Sequence, residues 1–294
     1  MIDFEQIREA TARCLVRAGT GFRAHQTAAY RRALALESDP RARWVIEGIL
    51  ENARVAEESG FPLCDDTGIP HVFIDLGQEA VLPAHWLSAV KEGVAEGLRL
   101  MPGRPMAVRG DDQARIEQTQ GLHDDPARML PAPLLINPVA GSEWSITVLL
   151  LGGGPEIRAK THRVFHRRSA ERVLGEAADW IAAEVGSLGC TPAVLAVGVG
   201  RSHFEASALM LEAMKKGSLD KQNEWENWIT ERVNRSGAGP LGLGGSTTAL
   251  GTLLNIGPQR ASGVRIVCVR PCCCFEPRRA SVVFTSEGRR WGED

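Results

Sequence analysis

Apolar residues recur three and four positions apart through FEQIREATARCLVRA, HQTAAYRRALALE and ARWVIEGILENARVAEESG, which predicts successive helices across residues 3–59. Ser38-Asp39-Pro40 separates the second from the third, and Gly60 with Pro62 closes the third. Beyond that point the pattern changes to short apolar runs. HVFIDLG, PLLINPV and WSITVLLLGGG predict strands, PAVLAVGVG a buried strand, and VRIVCV and ASVVFTS two last strands around a cysteine run. LPAHWLSAVKEGVAEGLRLM, residues 169–188, HFEASALMLEAMKKGS and NEWENWITERVNRSG predict further helices, and GAGPLGLGGSTTALG a glycine-rich turn. Residues 102–132 are polar and rich in Pro, Gly and Asp. They predict a long loop that is functional rather than a linker, because both flanks stay strongly patterned. Helices and strands alternate without the regular beat of a doubly wound sheet, and no solenoid repeat is present. The expected fold is mixed α/β (α+β), with a helical N-terminal layer and β-sheets flanked by helices.

Length and charge narrow the class. A chain of 294 residues suits one large domain or two modest lobes, and a single domain over 1–294 is expected. With 34 basic against 36 acidic residues, a net charge of -2 and no basic run, nucleic acid and anionic membranes are not expected partners. The N-terminus MIDFEQIREATARCLVRAG is charged throughout, and no segment reaches about 18 uncharged apolar residues. Neither a signal peptide nor a membrane span is therefore expected, and the expected location is cytoplasmic. Seven cysteines without a secretory signal argue against a disulfide framework, and no CxxC pair supports structural zinc. Adjacent Cys272, Cys273 and Cys274 cannot all serve one metal, so any metal ligands come singly from distant parts of the chain. The seven histidines lack a ligand spacing such as HExxH, which disfavours histidine-bound zinc or iron.

Four segments carry candidate chemistry. PLCDDTGIP contains an Asp66-Thr67-Gly68 tripeptide, but an aspartic protease needs two such tripeptides or a short homodimeric chain to share a proton. This long chain has one, and Ile-Pro follows where the protease turn wants a small residue. The competing readings are an Asp-Thr-Gly turn with an incidental Cys, or Cys64 as a metal ligand with Asp66 reaching a substrate on the same metal. LGCTPAVLAVGVG places Cys190 at the mouth of a buried strand, where a cysteine is usually an apolar filler. Its Gly198-Val199-Gly200 lacks the third glycine of a dinucleotide fingerprint. GLGGSTTAL has glycines and hydroxyls suited either to cradling an anion or to capping a helix, without a P-loop lysine. In CCCFEPRRA, Arg278 and Arg279 could pair with a substrate carboxylate, although a solvated face is the commoner outcome for an arginine pair.

Taken together these segments resemble the class I, iron–sulfur fumarate hydratases and L(+)-tartrate dehydratases. ENARVAEESGFPLCDDTG is similar to that family's Asn-Ala-x-x-Ala followed by Pro-Leu-Cys-Gln-Asp-Thr-Gly. LGCTPAVLAVGVG resembles its Cys-Pro-Pro-x-Val-Val-Gly-Val-Gly-Ile-Gly, GAGPLGLGGSTTALG its Gly-Pro-Gln-Gly-Leu-Gly-Gly-x-Thr-Thr-Ala-Leu, and CFEPRRA its Cys-Trp-Ala-x-Arg-Arg-Ala. The order and spacing agree from about residue 40 to residue 285. Because the chain stops there, it resembles the separate α subunit, with no β domain following. The resemblance implies an oxygen-sensitive [4Fe–4S] cluster on Cys64, Cys190 and Cys274, with one iron left open as a Lewis acid. It implies Asp66 beside the leaving hydroxyl, Arg104 as a carboxylate-binding arginine, Asp65 and Thr67 at the substrate, and Gly152, Gly153 and Gly154 as the glycine run beside it. A separate β subunit in a hetero-oligomer would supply the base, and the substrate would be a small dicarboxylate or hydroxy acid. Cys272 and Cys273 are not expected to be ligands.

The departures lie around the substrate. The family's Gln is Asp65, its Lys-Gly-Gly-Gly-Ser-Glu-Asn appears as LGGGPE followed by Ile157, its His after Thr-Thr-Ala-Leu is absent, and another family His falls on Leu135. Retained cluster ligands with an altered pocket point to a hydro-lyase with a changed substrate. The alternative is a non-catalytic cluster-binding or scaffold subunit that stabilises a partner chain.

Overall fold

The structure, a computed structural model, describes residues 2–101, 103–104 and 106–292. In chain order it forms α1 (Phe4–Thr20), α2 (Ala24–Leu36), α3 (Pro40–Ser59), β1 (Ile69–Gly77), α4 (Trp86–Leu100), α5 (Asp112–Glu117), β2 (Leu135–Val139) and β3 (Trp144–Leu151). Then follow α6 (Gly153–Glu156), β4 (Lys160–Phe165), α7 (Ala170–Val185), β5 (Ala193–Gly200), α8 (His203–Lys216) and α9 (Glu224–Asn234). The last strands are β6 (Ala249–Ile256), β7 (Val264–Cys272), β8 (Arg278–Thr285) and β9 (Gly288–Trp291). The expected mixed α/β class is what forms, with helices and two mixed sheets. By its contacts the chain divides into two compact units, one built from residues 1–22, 53–152 and 278–294 and the other from 23–52 and 153–277.

The first unit holds the sheet β2-β1-β3-β8-β9, in which only β2 and β1 run parallel. Alternate residues of each strand point to one face, so Val72 and Ile74, Ile146, Val148 and Leu150, and Ala280, Val282 and Phe284 form a continuous apolar surface. The α1 stripe Ile7, Ala10, Cys14, Leu15 and Ala18 covers it, together with Val90, Val94 and Leu98 of α4. Each large side chain so buried contributes about 1.5–3 kcal/mol. Asp3 and Gln6 start α1 with a reciprocal capping box. Trp144 and Phe284 face one another across β3 and β8, their rings stacked 4.1 Å apart.

The second unit holds the sheet β4-β7-β5-β6. Every residue of β5 is buried, because helices cover both faces. Leu195, Val197 and Val199 pack on Leu174, Ala177, Ala178 and Ile181 of α7 and on Ile229 and Val233 of α9. On the opposite face α8 lies so close that a Cβ at Gly198 would collide with the Ala206 carbonyl, and one at Gly200 would sit 2.7 Å from the Ala206 nitrogen. Those glycines admit a helix, which accounts for the Gly-Val-Gly without any nucleotide.

Several elements escape the pattern. The expected loop 102–132 contains α5 and a short turn at Pro126–Arg128, capped by Asp111 and Asp125, too short to show periodicity. β4 is a sheet edge, and its sequence KTHRVF reads as polar because only Val164 is fully buried. The end of the glycine-rich turn becomes β6, paired parallel to β5. Among the described residues no helix is long and apolar enough to cross a membrane.

Candidate functional site

In the first unit, residues 62–68 turn from α3 into β1. The Thr67 hydroxyl donates to the Arg104 carbonyl at 3.1 Å, and the Gly68 amide donates to Asp66 Oδ1 at 3.1 Å. Arg278, at the start of β8, donates from Nη1 to the Asp66 carbonyl at 2.6 Å. Gly68 has φ +81°, and a Cβ there would lie 2.5 Å from Arg278 Nη2 and 3.1 Å from the Leu150 carbonyl carbon. Only glycine meets both demands, the left-handed backbone and the close approach. The expectation of a solvated arginine pair is therefore corrected: Arg278 is 2% and Arg279 7% exposed, because β8 is an interior strand of its sheet.

Asp65 and Arg104 remain exposed and form an ion pair at 3.3 Å. The Cys64 thiol is half-buried, and burial pushes it above its ordinary range, with the Asp65 carboxylate adding to that. The Asp66 amide and the Arg278 charge pull the other way without reversing it. Leu151 pairs with Ile69, so Gly152 leaves β3 beside the end of the Cys-Asp-Asp-Thr-Gly turn. The structure thus brings Cys64, Asp65, Asp66, Thr67 and Arg104 together.

In the second unit, Cys190 is exposed on the loop between α7 and β5, whereas Cys274 is 4% exposed in the turn between β7 and β8. The Cys274 amide donates to the Cys190 carbonyl at 2.8 Å, which sets these two cysteines side by side. The Cys274 carbonyl accepts from the Tyr30 hydroxyl at 2.5 Å, and the Pro277 carbonyl accepts from the Gln26 amide at 3.2 Å. Burial, followed by the Cys274 and Cys273 thiols, holds the Tyr30 phenol well above its ordinary value, so it stays a donor. The glycine-rich segment packs on the same place: the Leu241 amide donates to the Thr191 carbonyl at 3.1 Å, and the Thr191 hydroxyl to the Gly239 carbonyl at 2.6 Å.

That segment does present amides to an anion, but the anion is the protein's own. Glu37 Oε2 accepts from the Ser246 amide at 2.8 Å, the Ser246 hydroxyl at 2.9 Å and the Thr247 amide at 3.2 Å. Burial alone would raise the Glu37 carboxyl; the hydrogen bonds from Asp39, Ser246 and Ser38 outweigh it and leave the group below its ordinary value. Gly153 and Gly154 open α6, and a Cβ at Gly154 would meet nothing within 4 Å. The same helix ends at Glu156, which pairs with the fully buried Arg270. Arg270 also holds the fully buried Glu276 at 3.1 Å. Cys272 is fully buried as the last residue of β7, opposite Val194 of β5, and Cys273 is half-buried.

Tyr30, Glu37, Arg270, Glu276 and a buried Arg278 were not singled out as buried anchors by sequence pattern. Tyr30 and Gln26, four positions apart, share a face of α2, but nothing in their neighbours distinguishes them from ordinary helix residues. All seven cysteines are free of disulfides. Among the described residues no three His, Cys, Asp or Glu side chains gather to hold a single ion.

Comparison with known proteins gives these arrangements a context. A protein of Methanocaldococcus jannaschii, provisionally named as an L(+)-tartrate dehydratase subunit alpha, is 26% identical over 255 residues, covering 83% of this chain and 85% of that one. The L(+)-tartrate dehydratase alpha subunits of Escherichia coli strains UTI89 and K12 are each 23% identical over 244 residues, covering 80% of this chain and 77% of theirs. The family described as fumarate hydratase (Fumerase) matches residues 8–283, a span that takes in both units and all four cysteine and glycine segments. This chain belongs to the fumarate hydratase (Fumerase) family of hydro-lyases.

Proposed function

We propose that this chain is the cluster-binding α subunit of a hydro-lyase acting on a hydroxy-dicarboxylate of the tartrate or malate type, with a separate β subunit as its partner. The observation that carries the reading is the Cys274 amide to Cys190 carbonyl bond at 2.8 Å, which joins the backbones of two cysteines far apart in the chain, within a family match to residues 8–283. The names of the relatives support the substrate class and the partner. Thiols free of disulfides, arriving singly on turns, suit an iron–sulfur group, whose irons each take a separate thiolate, so the ligands need not converge on one point.

Cys64, Cys190 and Cys274 would hold a [4Fe–4S] cluster. When bound, the group supplies a Lewis-acidic iron that makes the substrate hydroxyl a better leaving group. Asp66, fixed through its own carbonyl by Arg278, presents its carboxyl beside that hydroxyl. Arg104 binds a substrate carboxylate, a task its planar donors suit. Gly152, Gly153 and Gly154 admit the substrate along their backbone. Asp65 tempers Arg104, since the two are paired at 3.3 Å. Replacing Asp65 with Asn is expected to lower KM for a dianionic substrate about two- to fivefold, the scale of an exposed charge pair, with kcat nearly unchanged. An unchanged or higher KM in steady-state assays would show that Asp65 does not oppose the substrate.

The test is iron and sulfide content after anaerobic reconstitution, comparing wild type with Cys64→Ser, Cys190→Ser and Cys274→Ser. Four irons in wild type, lost in each variant, is the expected result. The Cys272→Ser/Cys273→Ser double variant is expected to keep its iron, because Cys272 is sealed within the sheet. A wild-type chain that takes up no iron, alone or with its β partner, would sink the reading. A loaded pair that turns over no 2-hydroxy acid would favour the scaffold role.

A further inference from the structure

Within the second unit, the polar groups of Cys274 are unusually committed. Its amide is spent on the Cys190 carbonyl at 2.8 Å and its carbonyl on the Tyr30 hydroxyl at 2.5 Å. Both bonds cross between segments instead of continuing the β7 ladder, which ends at Cys272. With the peptide planes on either side held, the remaining freedom of Cys274 is its own side-chain torsion. The bond at its amide ends on another of the three cysteines, so the spacing of two thiols depends on the same anchor.

The donor side is equally fixed. Tyr30 is 1% exposed and lies on α2 one turn beyond Gln26, which is 2% exposed. The two residues hold both ends of one turn: Tyr30 the Cys274 carbonyl, Gln26 the Pro277 carbonyl three residues later. The turn's internal bond, from the Glu276 amide to the Cys273 carbonyl at 3.0 Å, closes it. Arg270 anchors it once more through Glu276 at 3.1 Å. A tyrosine placed only to fill space would have no need of its hydroxyl; here the hydroxyl meets the carbonyl of a cysteine.

Resting on the cluster reading above, we propose that Tyr30 is a positioning residue that sets the orientation of the Cys274 thiol toward an iron–sulfur cluster. It acts through the Cys274 backbone and touches neither substrate nor the reacting atoms. Residues that orient metal ligands change metal retention about tenfold or more when removed. Tyr30→Phe keeps the ring and deletes only the donor.

The experiment compares wild type, Tyr30→Phe and Gln26→Leu after anaerobic reconstitution with ferrous iron and sulfide. It reads iron per chain, the electron paramagnetic resonance spectrum of the reduced cluster, and the rate of iron loss to a ferrous chelator. Thermal melts of the iron-free chains monitor folding. Tyr30→Phe is expected to load four irons, to show a shifted spectrum and to lose iron about tenfold faster. Gln26→Leu, which frees the far end of the turn, is expected to change both readouts in the same direction and by less. Identical spectra and chelation rates in wild type and Tyr30→Phe would overturn the positioning role and leave the cluster reading standing, whether or not the melts differ. A wild-type chain without iron would overturn both.

Discussion

Replacing Arg270 with Met is expected to cost about 3–5 kcal/mol of folding stability, because it strands a buried carboxylate. Arg270 and Glu276 are both fully buried and lie 3.1 Å apart. Burial works against the Arg270 charge, but its neighbours, the Glu276 carboxylate foremost, outweigh it and hold the guanidinium above its ordinary value, so Arg270 stays cationic. Glu156, its second partner, is 57% exposed at the side chain and can return to water when the guanidinium is gone. Glu276 has no such escape. The Arg270→Met/Glu276→Leu double variant is therefore expected to recover most of the loss, since an apolar pair of similar volume is often neutral or better than a buried ion pair. Urea denaturation of the wild type, both single variants and the double variant completes the cycle. A loss below about 1 kcal/mol in Arg270→Met would mean that water reaches Glu276 and that the pair is not sealed.

The second large effect belongs to Glu37. Its two oxygens accept from the Ser38 and Asp39 amides at 3.0 and 3.1 Å and from the Ser246 amide, Ser246 hydroxyl and Thr247 amide at 2.8–3.2 Å. Glu37 itself is buried, and Glu37→Ala leaves these donors without their acceptor; Thr247 is buried too, whereas Ser38 and Ser246 are exposed and can turn to water. At about 1–3 kcal/mol for a buried donor left unsatisfied, the loss should be about 1–3 kcal/mol, carried mainly by the Thr247 amide. The pH dependence follows from the lowered carboxyl. Its contribution is fully present above the unfolded-state value near 4.5 and is lost as pH falls through the lower folded-state value. Wild type should thus lose stability on acidification below that point, and Glu37→Ala should show a shallower acid limb in melts followed against pH. Parallel acid limbs would remove Glu37 from the account.

These two residues also separate what is legible in a linear pattern from what is not. Helical periodicity marked α1, α4 and α7, and each buries the stripe its sequence predicts. The short apolar runs of β1, β3 and β5 were equally readable, since strands buried along most of their length carry few polar residues. Edge strand β4 was not readable, because an edge strand that is only half-buried along most of its length carries little apolar pattern. Asp65, Asp66, Thr67 and their cysteine stood out because several chemistry-bearing residues fall within five positions of one turn.

By itself, the sequence determined the mixed α/β class, the family resemblance and the cysteines that could carry chemistry, because periodicity and motif spacing are local properties. Tertiary structure alone decided the rest. It filled the glycine-rich cradle with Glu37 and buried Arg278 against the Asp66 carbonyl. It also joined the Cys274 amide to the Cys190 carbonyl and placed Tyr30 on the Cys274 carbonyl. The physical reason is common to all four. A buried polar group must find a partner, and its partner comes from whichever segment the fold brings near, often more than 200 residues away for Glu37, Arg278 and Tyr30. No spacing along the chain encodes that meeting.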